Sequence, residues 1–264
     1  MLLEEFDPCK TAIINPEQAM ADRIDKLAKK FPDTIVSVFS KELFDSMREV
    51  LGGSVIAGEL LAETSDVDGL WPVYEVEYKG KRFAFCKARL GAPACVGVFE
   101  DVLAFGGKRV ILLGNCGVLK KEIEDCGIII PTKAIRDEGT SYHYAPASDM
   151  IEVNRKYREE FKEILTEAGY PYYEGITWTT DAFYRETREK AERRKQMGAV
   201  CVEMECAAMQ AMCEFRGVEF FQFLYAGDNL DHSAWDPRSL SGKVKLDEKT
   251  RIGLLAFELA AKIG

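Results

Sequence analysis

Two glutamates flank a methionine in the stretch Gly198 to Met209, and this spacing points to chemistry. Glu203 and Glu205 lie two positions apart around Met204. Residues two apart share a face of a strand, and acids are favoured in the first turn of a helix, so a strand-to-helix junction can direct both carboxylates into one pocket. Such a pair accepts hydrogen bonds from a vicinal diol, as on a ribose, and stabilises positive charge on a nearby carbon. The alternative interpretation is a solvated helix start.

The elements around this junction alternate between strands and helices. Thr11 to Asn15 is predicted as a strand and Pro16 to Lys30 as a helix, and Asn154 is predicted to cap a helix that ends at Ala168. Glu186 to Gln196 has the charge of a solvated helix or lid. Predicted strands and helices alternate over residues 1–264, which indicates a single α/β domain whose ligands gather at the carboxyl ends of strands.

Composition and charge exclude several classes of partner. The 264 residues are 47% apolar, carry a formal net charge of −9 and have a pI near 5.0. Nucleic acids and anionic membranes need clustered Lys and Arg, so neither is expected as a partner. The eight cysteines include no CxxC pair and lie mostly in apolar segments, which predicts reduced core thiols. Without a signal peptide or a transmembrane segment in the sequence, we expect a cytoplasmic protein.

Several further motifs occur in a specific order with the glutamate pair, and together they resemble the nucleoside phosphorylase family, which contains purine nucleoside phosphorylases, uridine phosphorylases and methylthioadenosine/S-adenosylhomocysteine nucleosidases. The resemblance implies a three-layer αβα fold around a mixed, partly barrel-like sheet, and homodimers or hexamers built as trimers of dimers. It also implies cleavage of an N-glycosidic bond by phosphate or water. The motifs are LGAP (Leu90 to Pro93), VILLGNCGVL (Val110 to Leu119), AIRDEGTSYHYAP (Ala134 to Pro146), TTDAFYRE (Thr179 to Glu186), VEMECAAM (Val202 to Met209) and AGDNLD (Ala226 to Asp231).

The resemblance assigns the sugar and base contacts. Met204 would pack against the ribose, Glu205 would bind its 2′ and 3′ hydroxyls, and Glu203 would line the same pocket. A fixed carboxylate there would stabilise an oxocarbenium-like transition state. Phe183 matches the aromatic residue that stacks on the base, with core packing as the alternative.

Asp228 matches the acid that protonates N7 in purine-handling members of the family, so that the base leaves neutral. A pyrimidine has no N7, so this match favours a purine over uridine. Partial burial should raise the pKa of Asp228 so that it can act as an acid; the alternative is that Asp228 caps a turn. His143 would lie on a loop near the active site, where a structural role is the alternative. Two histidines without a cluster of other ligands predict no metal, and no cofactor is expected besides phosphate as co-substrate.

The family's phosphate ligands are missing from their usual positions. The stretch that corresponds to the PGDPxR loop reads NPEQAM, which puts Pro16 and Met20 at the positions of its Gly and Arg. A second family Arg is replaced by Leu112, and the third falls near Leu70 and Trp71. An uncompensated phosphate in such a pocket is costly.

Two interpretations of the missing arginines remain open. Arg89 could supply the charge, with Asn115 and the backbone N–H groups near Gly91 completing the phosphate site, as the resemblance to trimeric purine nucleoside phosphorylases implies. Alternatively, water attacks and the chain is a hydrolytic nucleosidase. The favoured hypothesis is a phosphorylase acting on a nucleoside and inorganic phosphate. A third possibility is a non-catalytic nucleoside-binding protein.

Overall fold

The computed structural model describes residues 2–27, 29–52, 59–66 and 69–264. These residues form ten strands and eight α-helices. The strands are β1 (Thr34–Val38), β2 (Glu59–Asp66), β3 (Gly69–Tyr78), β4 (Lys81–Lys87), β5 (Arg109–Val118), β6 (Ile128–Asp137), β7 (Met150–Glu152), β8 (Tyr172–Thr180), β9 (Ala199–Glu203) and β10 (Glu219–Asn229). The helices are α1 (Pro16–Ala19), α2 (Ala21–Ile24), α3 (Lys41–Gly52), α4 (Ala92–Ala104), α5 (Arg158–Glu167), α6 (Arg188–Gln196), α7 (Cys206–Arg216) and α8 (Leu246–Ile263).

All ten strands of the described chain join one mixed sheet that is partly closed. Along the sheet the order is β10, β6, β8, β9, β5, β1, β4, β3, β2, and β7 pairs with β6. Because β10 also pairs with β5, the strands β5, β10, β6, β8 and β9 close into a barrel, and β1, β4, β3 and β2 extend from it as an open sheet. The predicted mixed, partly barrel-like sheet is confirmed.

Helices cover both faces of this sheet. Side chains of α3, α5 and α8 pack with the aromatic residues of β4 and β10 in one apolar cluster, where Phe83, Phe223 and Phe257 are almost completely buried. Side chains of α4 and α7 pack on the opposite face. Each fully buried side chain of this size stabilises the fold by roughly 1.5–3 kcal/mol, so the two clusters hold the barrel strands in register beneath the loops. The three-layer αβα prediction is confirmed.

The start of the chain differs from its prediction. Residues 11–15 form no strand, and the side chains of Ile13 and Ile14 are exposed. The predicted long helix at Pro16 to Lys30 is reduced to α1 and α2, each four residues long. The first strand of the described chain is β1, and the first strand-to-helix junction is therefore at residues 39–41 and not at the NPEQAM stretch.

Three other elements also differ from the sequence prediction. β2 and β7 were not predicted. Asn154 does not cap a helix; its side chain is buried and donates to the carbonyls of Pro131 (2.8 Å) and Gln222 (2.7 Å), and α5 begins four residues later. Gly-Gly pairs are typical of helix ends, and α3 ends at Gly52, whereas Gly53 lies outside the described residues.

Two further expectations concern the state of the cysteines and the absence of a transmembrane segment. All eight cysteines are free thiols, and all except Cys9 are buried. Among the described helices, none has both the length and the apolar character that crossing a membrane requires.

Candidate active site

Glu203 holds together the junction between β9 and α7. One of its carboxylate oxygens accepts hydrogen bonds from the hydroxyls of Thr179 (2.6 Å) and Thr177 (3.3 Å) on β8. The other accepts the backbone N–H groups of Glu205 (2.7 Å) and Cys206 (2.6 Å) at the start of α7. Burial raises the pKa of Glu203, and these donors oppose that shift. Because protein donors engage both oxygens, Glu203 fixes the position of Glu205.

Glu205 is the second buried acid, and it reaches a different part of the chain. Its side chain is 4% exposed, and Oε1 accepts the backbone N–H of Gly91 at 2.5 Å. Burial, followed by the charge of Glu203, raises the pKa of Glu205 to about 8. Within the described residues no Lys or Arg forms an ion pair with it. The alternative interpretation, in which the acid pair is a solvated helix start, is therefore wrong.

The backbone conformation at position 91 explains why the LGAP motif contains a glycine. The residue precedes α4 with φ +88°, a conformation that side chains other than hydrogen rarely allow, and Pro93 follows in the first turn. This turn directs the N–H of Gly91 toward Glu205 and so joins the LGAP and VEMECAAM motifs. In this structure the N–H predicted to help bind phosphate is engaged by Glu205.

Asp228 lies at the carboxyl end of β10, beyond a register shift between Ala226 and Asp228. It is 8% exposed, and burial raises its pKa. Oδ2 accepts the indole N–H of Trp235 at 2.7 Å. Because Asp228 is a buried strand residue, the alternative that it caps a turn is wrong.

Gly117 connects the two acidic segments. Along β5 it is the register partner of Asp228 on one side and of Val202 on the other, and neighbouring strands lie about 4.8 Å apart. A methyl group at Gly117 would lie 2.5 Å from Leu230 Cδ1 and 3.1 Å from Asp228 Oδ1. The glycine of the GNCGVL motif therefore leaves room for Asp228 and Leu230 to pack against β5, a role that the spacing of the motif alone did not reveal.

Glu186 is a further acidic residue that the sequence analysis did not single out. It precedes α6, and no hydrogen bond or ion pair from the described residues ends on its partly buried carboxyl. Burial, followed by the charge of Asp228, raises the pKa of Glu186 to about 7. It lines a cavity of ≈ 350 Å³ together with Leu119, Trp178, Leu230 and Trp235. The position of Glu186 just before the charged helix was the available signal.

Phe183 and Met204 are both accessible enough to contact a ligand. Phe183 lies in a short 3₁₀ turn after β8, is 46% exposed, and its ring centroid is 4.1 Å from that of Tyr184. Met204 is partly exposed between the two buried glutamates. The exposure of Phe183 rules out core packing, the alternative to base stacking.

Arg89 and Asn115, the predicted phosphate ligands, contact different neighbours. Arg89 stacks its guanidinium on the Trp71 ring, 3.8 Å from the centroid, and the Lys87 ammonium lies 4.6 Å from the same centroid. Asn115 lies beside Gly227, where an added methyl group would be 3.2 Å from its amide nitrogen. Leu112, in place of a family Arg, is completely buried in the apolar cluster against α4 and α7.

His143 projects to solvent from a loop that Arg136 folds. The Arg136 guanidinium donates to the Ser141 hydroxyl (2.8 Å) and to the carbonyl of Pro146 (2.6 Å). His143 itself is exposed at the end of the 3₁₀ turn Thr140–His143. Within the described chain His143 forms no hydrogen bond or ion pair with the acidic residues, and no cluster of three or more His, Cys, Asp or Glu residues could hold a metal ion.

Comparison with known proteins identifies the family. The model of the phosphorylase superfamily matches residues 54–252. The chain belongs to the phosphorylase superfamily. Superfamily relatives include the DeoD-type purine nucleoside phosphorylases of Bacillus cereus and Bacillus thuringiensis, each 28% identical over 160 residues. These matches cover 58% of this chain and 66% of each relative, slightly less than two thirds of their length.

Solved superfamily structures share the fold. Uridine phosphorylase from Vibrio fischeri matches with a TM-score of 0.71 and 20% identity over 91% of this chain and 95% of its own. Purine nucleoside phosphorylase from Toxoplasma gondii, in complex with immucillin-H, matches with a TM-score of 0.72 and 17% identity over 88% of this chain and 90% of its own. At this identity the likeness establishes the architecture only.

Proposed function

We propose that this chain is a nucleoside phosphorylase that cleaves the N-glycosidic bond of a purine nucleoside with phosphate and releases the free base and ribose 1-phosphate. The observation that carries the proposal is the pairing of Gly117 with both Asp228 and Val202, because it places a buried acid and the glutamate junction on the two strands that flank β5. The names of the Bacillus relatives support the same activity.

In this proposal Glu205 binds the sugar. With a pKa of about 8, the ligand-free protein holds the Glu205 carboxyl protonated at neutral pH. A ribose that donates hydrogen bonds from two hydroxyls favours the carboxylate and lowers that pKa. The carboxylate then faces the sugar while C1′ acquires positive charge, and Met204 packs on the ring.

In this proposal Asp228 protonates the base. As a phosphate oxygen forms its bond to C1′, the C1′–N9 bond breaks and its electron pair passes into the purine. The Asp228 carboxyl donates its proton to N7, so the base leaves neutral and Asp228 remains as a carboxylate that solvent reprotonates. Burial favours the protonated carboxyl that this step needs. Phe183 stacks on the base, and Glu186 lies in the cavity beyond Asp228.

Arg89 and Asn115 bind phosphate in this proposal, with Gly91 available when Glu205 turns toward a sugar. Inorganic phosphate is the co-substrate and no cofactor takes part. A homodimer, or a hexamer built from dimers, is proposed by analogy with the family, and His143 is the residue through which a neighbouring copy would be reached. A cytoplasmic location remains part of this proposal.

Hydrolysis is the second candidate. The observation that favours it is the burial of Leu112 in an apolar cluster at a position where the family carries a phosphate-binding Arg. A water nucleophile needs no cationic site, and the methylthioadenosine type of nucleosidase would then be the nearest functional class.

Base release distinguishes these possibilities. Inosine, adenosine, uridine and methylthioadenosine are each incubated with the protein, with and without phosphate, and free base is quantified. Phosphate-dependent release from purine nucleosides supports the proposal. Equal release without phosphate establishes the hydrolase, and calorimetric binding without turnover establishes a non-catalytic binding protein. Release confined to uridine removes the role given to Asp228.

A further inference from the structure

Trp235 makes a directed contact with Asp228 from the solvent side of the site. The indole N–H donates to Asp228 Oδ2 at 2.7 Å, although the side chain is 59% exposed. A tryptophan that leaves most of its surface in water gains little from burial. The hydrogen bond to Asp228 therefore accounts for the position of the Trp235 side chain.

The loop from Leu230 to Trp235 is closed at its base. Asn229 donates its backbone N–H to Asp236 O (2.9 Å), and Asp236 returns one to Asn229 O (3.2 Å). The two ends of the loop are thereby paired, which fixes the point from which the indole reaches Asp228.

The same loop is attached to α6. The Arg188 guanidinium donates to the carbonyls of His232 (3.2 Å) and Ser233 (2.7 Å), and Lys195 forms an ion pair with Asp231 at 2.7 Å. The charged helix that the sequence predicted as a solvated face therefore holds the loop in place.

The contact distinguishes the two oxygens of Asp228. Oδ2 accepts the indole N–H, whereas Oδ1 is the oxygen on the side of Gly117. In a protonated carboxyl group one oxygen carries the hydrogen, and the other is a carbonyl oxygen that can only accept. We propose that Trp235 is a positioning residue for Asp228: its indole N–H selects Oδ2 as the acceptor and leaves the transferable proton on Oδ1, the oxygen on the side of Gly117. This role rests on the proposed function.

Several charged or titratable groups surround Asp228 and influence its pKa. Arg238 and Asp236 act from the segment after the loop, Glu186 from the start of α6 and Cys116 from β5. Burial raises the pKa of Asp228, whereas the bond from Trp235 lowers it. Trp235→Phe keeps an aromatic ring but removes the donor, so the pKa of Asp228 should rise further in this variant.

Indole ¹⁵N–¹H spectra test the contact without any need for activity. The chain has three tryptophans, and each indole N–H has a different acceptor. Trp235 donates to Asp228, Trp178 donates to Asp137 Oδ2 at 2.8 Å, and Trp71 donates to the backbone carbonyl of Lys87.

In a pH titration, the Trp235 resonance should shift with a midpoint above the ordinary pKa of Asp, 3.8. Trp71 serves as the internal reference because its acceptor does not titrate. Asp228→Asn should abolish the Trp235 transition and leave the other two resonances in place. A Trp235 resonance that titrates identically in wild type and Asp228→Asn would overturn the proposal.

Kinetics test the positioning role. Trp235→Phe should lower kcat about tenfold, the effect of losing one hydrogen bond of roughly 1.4 kcal/mol, with little change in the nucleoside KM. The alkaline limb of its pH profile should move upward, following the pKa of Asp228. In the Asp228→Asn background the same substitution should have no further effect.

An equal loss of kcat from Trp235→Phe in both backgrounds would show that Trp235 does not act through Asp228. If the protein cleaves no nucleoside at all, the proposed function fails, while the indole titration still decides whether Trp235 bonds to Asp228.

Discussion

Replacing Glu205 with Gln separates the stability of this site from its activity. The Glu205 carboxyl is buried without a cationic partner in the described chain, and its pKa is raised from 4.5 to about 8. Between these pH values the folded protein binds a proton that the unfolded chain has lost, so stability falls as pH rises. The stability that Glu205 contributes is complete below pH 4.5 and is lost as pH rises toward about 8.

The size of the stability change follows from the size of the pKa shift of Glu205. Each pH unit between the two pKa values costs about 1.4 kcal/mol, so the wild type loses about 3 kcal/mol by pH 7 relative to a side chain that does not ionise. Glutamine keeps an oxygen for the Gly91 N–H and carries no charge. Glu205→Gln should therefore be more stable than the wild type by about 3 kcal/mol at pH 7, and the difference should shrink toward zero near pH 4.5.

Urea unfolding at pH 5, pH 7 and pH 8.5 measures this difference. The same variant should lose about 10²–10³ in kcat, because an uncharged amide cannot stabilise a cationic sugar as a carboxylate does. Nucleoside binding to the wild type at pH 7 should release a proton, detectable as a calorimetric heat that depends on the buffer, and this release should be absent in Glu205→Gln.

Glu203→Gln is the matched control two residues away. Its carboxylate accepts four hydrogen bonds from the protein, and an amide group would turn N–H donors against some of them. This control should lose about 1–3 kcal/mol of stability for each buried donor left unsatisfied. A pH-independent stability difference for Glu205→Gln, or a loss of stability at pH 7, would refute the assignment of Glu205 as a buried neutral acid.

Three further substitutions test the other parts of the proposed site. Asp228→Asn should lower kcat for inosine by about 10²–10⁴ and spare 7-methylinosine, whose N7 is already alkylated; equal losses on both nucleosides would contradict proton transfer to N7. Arg89→Ala should raise the phosphate KM with little change in the nucleoside KM, and an unchanged phosphate KM in steady-state assays would remove Arg89 from the phosphate site. Phe183→Ala should raise the nucleoside KM and change urea stability by less than about 1 kcal/mol, since the ring is 46% exposed; a large stability loss would instead indicate a packing role.

The sequence by itself determined the fold class and drew attention to two acidic residues that the structure buries. Alternating strands and helices indicated one α/β domain, and the order of the motifs indicated the family, because apolar periodicity and turn residues are local properties that a single chain displays directly. Glu205 and Asp228 were identified from the same motifs. The strand predicted at Thr11 to Asn15 failed because strand propensity has no effect when no neighbouring strand pairs with the segment.

Only the tertiary structure decided how the acidic residues divide their roles. Glu203 and Glu205 look equivalent in sequence, but the hydroxyls of β8 and the first N–H groups of α7 engage Glu203, whereas Glu205 reaches the N–H of Gly91. Gly117 pairs with Asp228, more than 100 positions away, whereas Trp235 reaches the same Asp228 across a short loop. The physical reason is that burial, hydrogen-bond partners and charge depend on which segments the barrel brings together, and those contacts connect residues separated by more than 100 positions, such as Gly91 and Glu205.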